Sequence, residues 1–142
     1  MQNILALLFL VFFISSCTNS GWDNVAEGTD KVGGKFTIAL DRSDVTDFGD
    51  IKTAWARKSF TSPKALKDGS TYTETYIFFA VDCKNRKYSV MEIGMSNPGS
   101  TEFVHAVKFA DDTDNLVWSP VPDTSPSREI YKELCSWYSS LF

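Results

Sequence analysis

Few residues in this chain have side chains suited to reaction chemistry. His105 is the only histidine. It shares an alternating run with Phe103, Val107 and Phe109, which suits a packed or rim position better than a general base. No nucleophile elbow or triad order accompanies it, so Ser-His-Asp hydrolysis is not expected. Two acidic groups invite a cation: Asp111, Asp112 and Asp114 in one stretch, and Asp41, Asp44, Asp47 and Asp50 at regular spacing. Neither has the D-x-[DN]-x-[DN]-G loop with its distal Glu. Solvated turns explain both, because Asp bonds its own backbone there. Gly33-Gly34 before Lys35 lacks the rest of a phosphate loop and reads as a turn. The better binding candidates are basic. Arg57, Lys58, Lys64 and Lys67 lie along one strand and its loop, and Lys84, Arg86 and Lys87 crowd one turn. In an acidic protein, a local positive patch can hold acidic segments of a partner.

Sulfur offers more. The cysteines are Cys17, Cys83 and Cys135. Residues 4–14 form an uncharged apolar run before the first of them. The run is shorter than the roughly 20 residues of a bilayer span, but it has the length of a secretory h-region. Ile14-Ser15-Ser16-Cys17 then resembles a bacterial lipobox. That resemblance implies a diacylglycerol on the Cys17 thiol, cleavage of residues 1–16, and acylation (palmitate among the chains) of the new amino terminus. The n-region, Met1-Gln2-Asn3, carries no Lys or Arg. A conventional signal peptide cut near Ser16 is the rival. With Cys17 lipidated, Cys83 and Cys135 remain, and an oxidising compartment lets them pair. Their bridge would close a loop of about 53 residues, for which chain entropy gives roughly 4 kcal/mol. A metal or redox pair is the poorer alternative, with one histidine and no C-x-x-C.

The elements that must position these residues are mostly strands. The chain has 142 residues, room for one domain. Its 43% apolar content excludes a disordered chain, and its net charge of -4 opposes nucleic-acid binding. Residues 17–34 read as the lipidated cysteine and a flexible tether, with Trp22 and Val25 the first able to dock. Residues 35–142 form the domain. Strands are expected over residues 35–40, 51–60, 71–83, 88–95 and 102–109, with a short piece at 116–118. On the clearest of them, Thr73, Thr75, Ile77, Phe79, Val81 and Cys83 share one face. Met91, Ile93 and Met95 are expected together on the next. A loop is expected over residues 64–70, after Pro63. Ser125-Pro126 then starts a helix. Ile130, Leu134, Trp137 and Leu141 recur on its one face, with Tyr131, Cys135, Tyr138 and Phe142 beside them. The fold class is α+β: a single antiparallel sheet of about five to six strands in a meander, with a C-terminal helix packed on one face. A Cys83–Cys135 disulfide ties the helix down.

Certain runs look familiar: Trp22 with Val25, Phe36-Thr37-Ile38-Ala39-Leu40-Asp41-Arg42-Ser43-Asp44-Val45, and Lys52-Thr53-Ala54-Trp55. To these add Tyr76-Ile77-Phe78-Phe79-Ala80-Val81-Asp82-Cys83, Trp118-Ser119-Pro120-Val121-Pro122-Asp123-Thr124-Ser125, and a helix reaching Cys135. Together they resemble the surface-adhesin protein E family of bacterial lipoproteins. The resemblance implies an outer-membrane lipoprotein at the cell surface that binds host matrix and serum proteins such as laminin and vitronectin. A haem-binding role is implied as well. The expectation is therefore a non-catalytic binding module without a cofactor, held to the membrane by its lipid. Arg57, Lys58, Lys64, Lys67, Lys84, Arg86 and Lys87 are the candidate partner-binding residues. The alternative is a periplasm-facing envelope lipoprotein that binds a small apolar, haem-like ligand or a partner envelope protein.

Overall fold

Alternating apolar and polar side chains, in short runs closed by Gly, Asp, Asn or Pro, dictate strands that bury one face. The computed structural model describes residues 21–124 and 126–139. It shows one antiparallel sheet covered by one helix. The strands are β1 (Trp22–Thr29), β2 (Lys35–Asp41), β3 (Thr46–Phe48), β4 (Ile51–Ala65), β5 (Thr71–Asp82), β6 (Lys87–Ser96), β7 (His105–Lys108) and β8 (Ser119–Pro120). The helix is α1 (Pro126–Ser139), and Arg42–Asp44 makes a single 3-10 turn. The order across the sheet is β1-β2-β4-β5-β6-β7, with β3 on β4 and β8 on β6. β3 continues the line of β2 along β4, and β8 lies in line with β7 along β6. Eight strands thus occupy six positions, which reconciles them with the five to six expected. The expected leader, Cys17, the expected Ser125 cap, Leu141, Phe142 and the side chains of Trp137 and Tyr138 lie outside the described residues.

The core lies between sheet and helix. Phe36, Ile38 and Leu40 of β2, Ala54 and Ala56 of β4, and Phe79 and Val81 of β5 meet Ile130 and Leu134 of α1. The alanines lie under the helix, where small side chains let it approach. Burying Ile130 and Leu134 turns an amphipathic segment into a stable helix, since helix stability in proteins comes mostly from such packing. The neighbouring stripe secures the same contact. The Tyr131 hydroxyl donates to the Cys83 carbonyl at 2.8 Å, and Cys135 is bonded to Cys83 across 52 positions of sequence.

Several expectations need correction. Residues 17–34 are not tether throughout, because Trp22–Thr29 is the edge strand β1, paired with β2. A register shift between Asn24 and Ala26 breaks its alternation, which masks the strand pattern in the sequence. β4 runs on through Pro63 to Ala65, and a shift between Ser59 and Lys64 lets the ladder pass a residue that has no N–H to donate. The expected loop shrinks to a turn. In β6 a shift opposite Phe78 and Phe79 takes Met91 out of the Ile93–Met95 face. The Met91 carbonyl accepts from the backbone N–H groups of Phe109 and Ala110 instead. β7 keeps only four of its expected residues, all exposed. Leu116, Val117 and Trp118 form no strand.

Candidate functional site

Neighbouring residues on a strand point to opposite faces, and this separates the basic candidates. Arg57 faces away from the helix, across from Tyr76 on β5. Its guanidinium lies 4.8 Å from the centroid of the Trp22 ring, an attractive cation–π distance. Trp22 meets Tyr76 edge-on at 5.8 Å, and Tyr76 meets Phe103 at the same spacing. The rings of Trp55 and Phe78 stack alongside at 4.9 Å. The Tyr76 hydroxyl donates to Glu74 at 3.0 Å. Burial and that carboxylate hold its pKa above the usual tyrosine value. The open face of the sheet therefore carries a row of aromatic side chains with one stacked cation.

Lys58 points the other way. Its Nζ is 3.8 Å from the Phe36 ring centroid and 5.1 Å from that of Phe60. Burial holds its pKa below the ordinary lysine value. Lys64 is bonded to Asp30. Asp30 also accepts from the backbone N–H groups of Val32 and Gly34. The Lys64 bond is the main reason that the Asp30 carboxyl lies below its usual range. Arg57, Lys58 and Lys64 thus have structural partners within the domain, while Lys67 is exposed in the β4–β5 turn.

Lys84 and Arg86 are exposed in the β5–β6 turn, and Lys87 is exposed where β6 begins. That turn is well fixed. Asn85 donates to Asp82 from its backbone at 2.9 Å and from its side chain at 2.7 Å. The Arg86 carbonyl accepts from the Val121 N–H at 3.0 Å. Lys67 and this turn cap opposite ends of β5, whose twelve residues span about 40 Å. The seven basic candidates therefore do not form one patch. At the Lys67 end two further cations, Lys31 and Lys35, are exposed. The Asp30–Lys64 bond brings their hairpin against the β4–β5 turn. Gly33-Gly34, already a turn signal, was the hint that they project from a hairpin.

The remaining candidates have simple assignments. His105 is exposed on β7. Asp41 accepts from Ser43, Asp47 is bonded to Lys52 at 3.0 Å, Asp112 accepts from the Asp114 N–H, and Asp111 pairs with Lys108. Among the described residues, no three His, Cys, Asp or Glu side chains are grouped as metal ligands, and no helix is long and apolar enough to cross a membrane. A cleft of about 550 Å³ opens beside β6, lined by Tyr88, Val90, Ile93, Phe109 and Val117 with Asn115 and two serines.

Residues 22–136 match the family model described as surface-adhesin protein E. The match spans the strands, most of the helix and both bonded cysteines. No curated protein and no solved structure matches the chain.

Proposed function

Because the chain belongs to the surface-adhesin protein E family, we propose that it is a lipid-anchored, non-catalytic binding module of the outer membrane, directed at host matrix or serum proteins. In this reading residues 1–16 are removed, Cys17 carries the lipid, residues 18–21 are the link, and the sheet displays the binding surface. The observation that carries it is the family match, which takes in sheet, helix and cysteine pair as one unit. A rigid scaffold suits a binding module, because little order has to be gained on docking.

The contact with an acidic partner segment falls to the end of the sheet bearing Lys31, Lys35 and Lys67, all exposed there. Lys64 helps by holding the two turns together through Asp30. The test is binding of the purified protein to immobilised laminin and vitronectin. Lys31→Glu with Lys67→Glu should weaken binding about ten-fold, and added salt should weaken that of the parent protein. Binding that ignores both changes would overturn the assignment.

The cleft beside β6 favours a second reading. Its volume of about 550 Å³ lies in the range of small-molecule sites, and its lining suits an apolar, haem-like ligand. A haem titration followed by absorption tests it. Saturable binding lost in Val90→Asp would support it, and a flat titration would end it.

A further inference from the structure

The strand register fixes which end of the domain lies near its anchor. Trp22 opens β1 opposite Asp41, the last residue of β2. Leu40 pairs with Ala56, and Trp55 pairs with Phe78. Trp22 therefore lies level with Phe78, four residues short of the Asp82 end of β5, and β1 runs from there away from the β5–β6 turn. Lys31 and Lys67 lie at the other end. Trp22 follows Cys17 by five positions, which at full extension reach about 17 Å. Trp22 must stay within that distance of the lipid, while the far end of β1, a strand of eight residues, stands about 26 Å from Trp22.

Two hairpin tips project from the anchored end. One carries Phe48, which is 58% exposed, beside the Gly49-Asp50 turn. The other is the turn with Lys84, Arg86 and Lys87. The Cys83 N–H donates to the Asp50 carbonyl at 2.9 Å, fixing the tips side by side. Most carboxylates here are turned to other uses: Asp47 is bonded to Lys52, Asp82 to Asn85, and Asp23 and Glu133 to Arg42. Asp44 and Asp50 are exposed at the rim. An exposed aromatic ring next to three cations fits a lipid interface, where apolar groups enter and basic groups meet phosphate.

We infer that the paired tips bearing Phe48 and Lys84, Arg86 and Lys87 rest on the phosphate-bearing lipid headgroups around the anchor, leaving the Lys31–Lys67 end free to meet partners. This rests on the lipid at Cys17 proposed above. It removes Lys84, Arg86 and Lys87 from the partner-binding surface and gives them an orienting role.

The experiment uses the acylated protein in vesicles of phosphatidylcholine with phosphatidylglycerol, in vesicles of phosphatidylcholine alone, and in detergent. A water-soluble amine reagent labels lysines, and peptide mass spectrometry gives the rate at each one. Lys84 and Lys87 should react about ten-fold more slowly in the anionic vesicles than in detergent. Lys31 and Lys67 should be unchanged, and high salt should reduce the protection. Phe48→Ser should also reduce it. Even labelling of both ends, or protection that is the same without phosphatidylglycerol, would overturn the inference while leaving the anchor in place. An intact mass without acyl chains would overturn the anchor and this inference together.

Discussion

Replacing Cys83 and Cys135 by serine removes the covalent tie between helix and sheet and leaves every backbone element in place. The bridge joins positions 52 apart in sequence. Closing a loop of that size removes about 14 cal/mol/K of entropy from the unfolded chain, or about 4 kcal/mol at room temperature. For a domain of this size, that loss lowers the thermal midpoint by about 15 °C. Two features limit further damage. Ile130 and Leu134 stay packed on Ala54 and Ala56, and the Tyr131 hydroxyl still reaches the Cys83 carbonyl. The helix should therefore remain docked in the native state, and far-ultraviolet circular dichroism should match that of the parent protein. Urea titration of parent and double variant measures the difference. A loss below about 1 kcal/mol would refute the reasoning. It would mean that packing alone confines the helix, or that the unfolded chain is already held compact.

Other predictions follow from single contacts. Leu134→Ala should cost about 3 kcal/mol in urea titration, because the residue is 4% exposed in the core under the helix. Glycine substitutions should divide by what lies above them. A Cβ at Gly28 would sit 2.7 Å from the ring of Phe36, a buried core residue whose ring would have to leave its packed position. Gly28→Ala should therefore lose about 2 kcal/mol. A Cβ at Gly94 would sit 2.5 Å from the Phe103 ring, but that ring is 41% exposed and can swing away. Gly94→Ala should lose less than about 1 kcal/mol in the same assay. The Asp30–Lys64 bond carries a pH signature. The Asp30 carboxyl lies below its usual 3.8 in the folded protein. Its contribution is thus fully present above that value and disappears as pH falls through the lower folded value. Asp30→Asn should lower the thermal midpoint at neutral pH, and the gap from the parent protein should narrow below about pH 4.

Much of the fold was legible because its signals are local. The alternation from Thr71 to Cys83 and the spacing of Ile130 and Leu134 defined a strand and a helix face, and both carry the core. The cysteine pair followed from counting and compartment, and the bridge is present. Three features resisted reading because non-local pairing decides them. β1 hides its alternation in a bulge, and its burial depends on β2. Pro63 looked like a stop, yet a bulge carries β4 past it. Phe103 and Phe109 looked like one strand face, but β7 holds only His105–Lys108 at an exposed edge, and Phe103 lies over Gly94. The candidate site was legible as residue types and illegible as a surface. Charge counts along a chain do not show that Arg57 stacks on Trp22, that Lys64 is bonded to Asp30, or that Lys67 and Lys84 lie at opposite ends of the sheet.

Display at the cell surface is the claim on which the binding role depends. It can be tested directly by treating intact cells with protease and probing for the domain alongside a periplasmic control. The account predicts that the domain is digested while the control survives. A domain that stays intact until the outer membrane is opened would contradict it and favour the periplasm-facing alternative.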